Sequence, residues 1–292
     1  MSDNLPHVAV LLAAYNGTAV LEEQLLSILQ QQDVTVSIFI SVDLSTDDSY
    51  QWCCHFAKNH PNIIVLPYGQ RFGGAAANFY RLIMEVDFTH FDYVAFSDQD
   101  DKWLADKLLT ACGRCEQDHF DAYSSNVLAF WEDGRELLIN KASPQRQYDY
   151  LFEAAGPGCS YVLRTQPMLL FKDLLSAQWQ QAHLIILHDW FIYAFFRAKG
   201  LRWFIDPEYK VLYRQHDKNQ VGIHKGWQAN LKRLKLLQKG WCKQQVLSIS
   251  DLVGGHTLDL HSRLTIIRNI SQLRRRFRDR CLLFFIALVG LY

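Results

Sequence analysis

The first third of the chain alternates short apolar runs with longer segments whose apolar residues recur at helical spacing. Val8 to Tyr15, Thr35 to Val42, Ile63 to Tyr68 and Tyr93 to Ser97 are nearly continuous in apolar residues, the pattern of strands covered on both faces. Between the first two, Leu21, Leu25, Ile28 and Leu29 form an apolar stripe after Thr18. A second helix is expected to open near Thr46 and Asp47, residue types that cap orphan backbone amides. Strands alternating with helices predict an α/β fold with a Rossmann-like, mostly parallel central sheet flanked by helices.

Beyond about Leu104 the pattern loosens. It predicts a helix to about Gln117, a strand over Ala122 to Trp131, a loop from Lys141 to Arg146 and a turn at Gly156-Pro157-Gly158. An apolar helix over Asp189 to Ala198 and a strand over Lys210 to Tyr213 follow. From Gly226 onward the chain reads as basic amphipathic helices, with no internal repeat or low-complexity linker.

With 292 residues, 49% of them hydrophobic, the chain can bury a substantial core. Lys plus Arg and Asp plus Glu number 30 each, so there is no overall basic field of the kind nucleic-acid binding needs. Seven cysteines, an odd count scattered along the chain, point to reduced thiols. Cys112 and Cys115 have metal-like spacing, but no second pair follows and both fall in a helical segment, so packing explains them. The start Met1-Ser2-Asp3-Asn4 has no basic and apolar leader, so a cleaved signal is not expected and a cytoplasmic location is. Arg274, Arg275, Arg276, Arg278 and Arg280 precede an apolar run from Leu282 to Tyr292 that is too short to span a bilayer. That arrangement suits a membrane surface, or equally a terminal helix packed on its own domain.

The candidate chemistry sits at strand ends. In Phe96-Ser97-Asp98-Gln99-Asp100-Asp101 three carboxylates repel one another unless a cation or several donors neutralise them, so a hard divalent metal is the simplest occupant. Asp101 also suits a cap for a helix starting near Trp103. Asp43 closes the second strand, where it fits either a nucleotide contact or an Asx-type turn. Asp189 lies in an apolar stretch, where desolvation raises a carboxyl pKa and suits a general base; a helix N-cap is the alternative. Arg214 and His216 follow a late strand, suited to phosphate oxygens and to a metal or phosphate, or to a solvated loop.

Taken together these segments resemble the family 2 glycosyltransferases of the GT-A fold, and within them the bacterial rhamnosyltransferase-like members. The resemblance runs from about Val8 to Gly222 and rests on an ordered set of stretches: Ala13-Ala14-Tyr15-Asn16-Gly17, Leu21-Glu22-Glu23-Gln24-Leu25 with Ser27-Ile28, Ser45-Thr46-Asp47, Phe96 to Asp101 with Trp103, His188-Asp189-Trp190, and Tyr213-Arg214-Gln215-His216 with Asn219. It implies donor contacts from Ala13, Tyr15, Asp43, Arg71, Asn78, Asp98 and Arg214, and a Mg2+ or Mn2+ ion held by Asp98, Asp100 and His216. Asp189 would be the base, with Gly158, Cys159 and Trp190 toward the acceptor.

On the same resemblance, residues 1–225 are a GT-A domain with a nucleotide half to about 103 and an acceptor half beyond it, and 226–292 a helical extension suited to membrane association. The activity implied is inverting transfer of a sugar, rhamnose being first choice, from a nucleoside-diphosphate donor such as dTDP-rhamnose. The acceptor implied is a carbohydrate or lipid-linked oligosaccharide of a bacterial surface polysaccharide. Val42 and Leu44 replace the aspartate and glycine the family places around Asp43. That leaves room for a catalytically silent nucleotide-sugar or carbohydrate-binding protein of the same fold. A nucleotidyltransferase fits less well, because Tyr15-Asn16-Gly17 is no basic, Gly-rich phosphate loop. Trp103, Trp190 and Trp203 suit sugar stacking or plain packing.

Overall fold

The computed structural model of the protein describes residues 5–215, 240–290 and 292. Among them a nine-stranded sheet runs in the order β3-β2-β1-β4-β8-β6-β9-β5, with β7 paired to β6. Its first part comprises β1 (His7–Ala14), β2 (Thr35–Val42), β3 (Ile63–Val65) and β4 (Tyr93–Asp98). β1 lies between β2 and β4 and pairs parallel with both, while β2 pairs parallel with β3. The chain therefore builds outward from β1 through β2 and β3, then returns to the other side of β1 for β4. In such a sheet the crevice for ligands opens at the carboxyl ends of the strands where the order reverses.

Side chains alternate between faces along a strand, and here both faces are covered. Val8, Val10, Leu12 and Ala14 pack in one apolar layer with Leu21, Leu25 and Ile28 of α1 (Leu21–Leu29), Cys53 of α2 (Ser49–Ala57) and Leu108, Ala111, Cys112 and Cys115 of α4 (Lys107–Gln117). Ala9, Leu11 and Ala13 face the opposite layer, with Phe79, Leu82 and Ile83 of α3 (Ala75–Glu85), Phe171 and Leu175 of α5 (Thr165–Ala177), Ala182 of α6 (Trp179–Ala182) and Phe191 to Phe196 of α7 (His188–Ala198). Cys112 and Cys115 are buried packing residues within the first layer.

The rest of the sheet is mixed: β5 (Lys102–Trp103), β6 (Ala122–Phe130), β7 (Glu136–Ile139), β8 (Val162–Arg164) and β9 (Trp203–Arg214). β8 runs antiparallel between β4 and β6, β9 runs parallel to β6, and β5 pairs antiparallel with β9. Three expectations need correction. β3 stops at Val65, short of Tyr68, because Pro67 has no N–H for the ladder. β9 starts at Trp203, well before Lys210, because exposed Pro207, Glu208 and Tyr209 interrupt its apolar pattern where the register shifts beside Ser125 and Asn126. Lys102 and Trp103 are strand residues pairing with Leu212 and Val211, so α4 begins only at Lys107 and Asp101 caps no helix.

The C-terminal part carries α8 (Trp241–Val253), α9 (Arg263–Arg268), α10 (Ile270–Leu273) and α11 (Phe277–Leu288). Val246, Ile249, Ile266, Leu273, Leu283 and Ala287 enter the same apolar cluster as α7. Arg275 is fully interior: one of its Nη groups donates to Asp149 Oδ2 at 3.5 Å and Tyr193 Oη at 3.3 Å, the other to the Ala154 carbonyl at 2.6 Å. The described extension thus shares one core with the residues before it. α11 keeps Phe277, Leu282, Phe285 and Leu288 on its outer side, exposed. No described helix is long and apolar enough to cross a membrane.

Candidate active site

Three loops meet where β1, β2 and β4 end. The Gln99 side chain clamps the backbone of Tyr15, accepting from its N–H at 2.7 Å and donating to its carbonyl at 2.9 Å. Asn16, in the left-handed region at φ 48°, accepts the Thr46 N–H at 2.7 Å, and Asp47 accepts from Thr18 and Ser49. A Cβ on Gly17 would collide with the Gln99 side chain, which accounts for glycine there. The result is a fixed rim on which the Tyr15 ring, 48% exposed, is the accessible aromatic group.

The donor-side residues expected from the sequence divide by environment. Asp43 is nearly buried, and its carboxylate accepts the N–H groups of Leu44 (2.7 Å), Phe72 (2.8 Å) and Gly73 (2.9 Å), so it holds the loop before α3 against the end of β2. Asn78 is interior and bonds the Ser41 hydroxyl and the Ser41 and Ala14 carbonyls, tying β1 to β2. Ala13 is buried in the layer with α3, and Arg71 is exposed on the loop. Val42 fills the core in place of a carboxylate, while Leu44 is exposed beside Asp43. Neither replacement disturbs β2.

Asp98, Asp100 and Asp101 cluster at the carboxyl end of β4. Burial first, then the charges of Asp100 and Asp189, push the Asp98 carboxyl up to about 7. Asp101 is wholly interior; burial and then the Asp98 and Asp100 charges raise it well above the carboxylate range. Its Oδ1 accepts the Arg214 N–H at 3.3 Å, and its Oδ2 has no hydrogen-bond partner. Ligand atoms of Asp98, Asp101 and Cys159 lie within 4.8 Å of one another. A crowded carboxylate set fits a hard divalent cation, which would relieve the repulsion within it. Arg214 donates through Nε to the Asp100 carbonyl at 3.0 Å and pairs with Glu23, so it braces this loop. His216 lies outside the described residues.

Asp189 stands in the first turn of α7, with Oδ1 accepting its neighbour's Trp190 N–H at 2.8 Å. Burial pushes its carboxyl up to about 6, against the pull of that N–H and of the Lys141 charge. The His188 ring lies 4.2 Å from the Phe79 ring, and burial pulls its pKa down to about 3, so it stays a neutral packing group. The Asp189 charge adds to the rise at Asp98, so the base candidate lies near the carboxylate cluster.

The expected acceptor-side residues are all buried. Gly158 and Cys159 are buried in a 3-10 turn, and Gly158 packs directly on His188 and Asp189. Trp190 is buried with its indole N–H on the Tyr150 carbonyl at 2.8 Å; Trp203 is buried with its N–H on Ser124 at 2.9 Å; Trp103 is buried under Lys107. None of the three indoles offers a face for sugar stacking, because each is enclosed by the core. Gln99, Arg81 and Lys107 were not anticipated from sequence. Arg81 reaches from α3 to the Ser41 hydroxyl and the Pro67 carbonyl, and Lys107 Nζ sits 3.4 Å from the Trp103 ring centre. Burial draws Lys107 down to about 7.

Residues 9–174 match the model of glycosyl transferase family 2, and the chain belongs to that family. A relative from Shigella flexneri, described as dTDP-rhamnosyl transferase RfbG, is 40% identical over 289 residues, spanning 96% of this chain and all of the relative. Among solved structures, TarS 1-349 of S. aureus in complex with UDP-GlcNAc superimposes with a TM-score of 0.53 at 14% identity, over 97% of this chain and 80% of that one. The mannosyltransferase PcManGT from Pyrobaculum calidifontis, in complex with GDP-Man and Mn2+, gives 0.52 at 15% identity over 99% and 88%. These two likenesses concern the fold, which is of the GT-A glycosyltransferase type.

Proposed function

We propose that this family 2 glycosyltransferase transfers rhamnose from dTDP-rhamnose, with inversion, to a carbohydrate acceptor carried on a lipid during assembly of a bacterial surface polysaccharide. The observation that carries the reading is the carboxylate cluster of Asp98 and Asp101 at the carboxyl end of β4, with Asp98 feeling the charges of Asp100 and Asp189. The donor sugar follows the 40% identical relative, and the acceptor follows the family resemblance. Residues to about 103 take the nucleotide, with Tyr15 on the base or ribose and Asp43, Arg71 and Asn78 shaping that side. Residues to 225 take the acceptor over the turn at Gly158 and Cys159, and Trp190 supports that pocket from the core.

Asp98 and Asp100, with His216, would hold Mg2+ or Mn2+, which when bound offsets charge on the departing nucleoside diphosphate. Asp189, held near 6, is ionised at neutral pH and still basic enough to take the proton of an acceptor hydroxyl. That hydroxyl attacks the anomeric carbon from the face opposite the leaving diphosphate, so one displacement inverts the centre. Arg214 keeps the Asp100-Asp101 backbone in place through its bond to the Asp100 carbonyl. The exposed Phe277, Leu282 and Phe285 beside Arg278 suit peripheral contact with the inner face of the cytoplasmic membrane.

The test is release of dTDP from dTDP-rhamnose with Mn2+ by the wild type and by Asp189→Asn, alongside UDP- and GDP-sugars. Release by the wild type alone supports the reading. Binding without release of any nucleotide would instead identify a silent binder, the reading that Val42, Leu44 and the occupied Asp43 carboxylate favour.

A further inference from the structure

Thymine differs from uracil by a single methyl group at C5, an apolar feature that hydrogen bonds do not read. A site that prefers a thymidine nucleotide therefore needs an apolar side chain at the edge of the base. Among the described residues, Tyr15 and Leu44 are the large apolar side chains left exposed in the loops that follow β1, β2 and β4, Leu44 at 44%.

The loops that carry them lie side by side. Ala14 pairs with Val42 at the ends of β1 and β2, the Asp43 N–H donates to the Ala14 carbonyl at 2.8 Å, and the Asn16 N–H donates to the Ser45 hydroxyl at 3.1 Å. The backbone of Leu44 is held firmly. Its N–H is shared between Asp43 Oδ1 at 2.7 Å and the Gln70 carbonyl at 3.1 Å, and the following N–H, of Ser45, donates to the Tyr68 hydroxyl at 2.9 Å. Tyr68 is in turn stacked on Tyr50, with ring centres 4.5 Å apart. A leucine fixed in place yet left in water forgoes apolar burial that a ligand can restore.

The other groups at this rim do not tell the two bases apart. Asp43 is engaged by three backbone N–H groups, and the imide edge that a carboxylate could meet is the same in uracil and thymine. A tyrosine ring such as Tyr15 stacks on either base, since each has a π-face. An aliphatic side chain at the edge of the base senses whether the methyl is there.

We propose that Leu44 is a specificity-determining residue that packs on the C5 methyl of a thymine base, selecting a thymidine nucleotide over a uridine one. This rests on the proposed nucleotide-sugar transferase reading and names the residue that sets its base preference.

The nucleotides dTDP and dUDP differ only in that methyl, so contacts to the deoxyribose, the diphosphate and the metal cancel in the ratio of their affinities. Each is titrated calorimetrically into the full chain with Mn2+ present. The wild type should bind dTDP about fourfold or more tighter than dUDP, the fold-change that burying one methyl gives. In Leu44→Ala the ratio should fall to within about twofold, whereas Leu44→Met, which keeps an apolar side chain, should retain the preference. Thermal melting confirms that the variants are folded, and Leu44→Ser replaces the alanine variant should that one not fold. Equal affinities in the wild type overturn methyl recognition and leave the donor reading standing. A preference undiminished in Leu44→Ala overturns the assignment to Leu44. Binding of neither nucleotide by the wild type overturns both this inference and the donor reading.

Discussion

Gly158 and His188 are in direct contact: a Cβ on the glycine would lie 2.7 Å from His188 Nε2. The first turn of α7, and Asp189 with it, is therefore seated on a backbone that has no room for a side chain. Gly158→Ala is expected to push α7 outward, lowering kcat about tenfold or more and destabilising the fold by about 1–3 kcal/mol. Kinetics and thermal melting of the same preparation check both effects. A fully active alanine variant would mean that α7 tolerates the shift.

Asp189 couples activity and stability with opposite signs. A carboxyl held near 6 instead of its ordinary 3.8 binds its proton more tightly folded than unfolded, so the penalty is absent below pH 4, grows between the two values and is complete above pH 6. Asp189→Asn should remove on the order of 1–3 kcal/mol of that penalty, raising the melting temperature at pH 7.5 but not at pH 4. The same substitution should abolish transfer. In the wild type, kcat should fall as pH drops through about 6.

Asp98, pushed up to about 7 by burial and neighbouring acids, makes metal binding compete with a proton. Mn2+ should raise the wild-type melting temperature at pH 8, and the shift should shrink as pH falls through 7. Asp98→Asn should melt higher than wild type without metal at pH 8 and lose most of the response to Mn2+. Equal Mn2+ responses in the two proteins would place the ion elsewhere.

Asp43 accepts three backbone amides, so Asp43→Ala should release the loop around Phe72 and Gly73. Faster hydrogen exchange over residues 69–74 is expected, with a stability loss of about 1–3 kcal/mol. Donor KM should rise more than kcat falls.

The first four strands were legible because a sheet covered on both faces needs uninterrupted apolar runs, and Thr35–Val42 has the bounds expected of it. β5 and β8 were not, since two or three residues carry no periodicity, and β9 was truncated by its polar bulge. At the site, residue type indicated Asp98, Asp100 and Asp189, because a charge inside an apolar run is conspicuous in one dimension. What sequence could not separate was an exposed group from one held in the interior. Tyr15 and Asn78 both belong to recognisable stretches, yet one is exposed and the other wholly engaged with β1 and β2. The pairing of Arg275 with Asp149 and Tyr193 spans too great a separation along the chain to be inferred from pattern.

That pairing has a practical outcome. Trimming the C-terminal end for its exposed Phe277, Leu282 and Phe285 would remove a beam of the house rather than its porch. Deletion from Arg274 onward strips Arg275 from between Asp149 and Glu153, and Leu283 and Ala287 from the apolar cluster. Repainting the outer side of α11 with serine at Phe277, Leu282 and Phe285 leaves that framework whole.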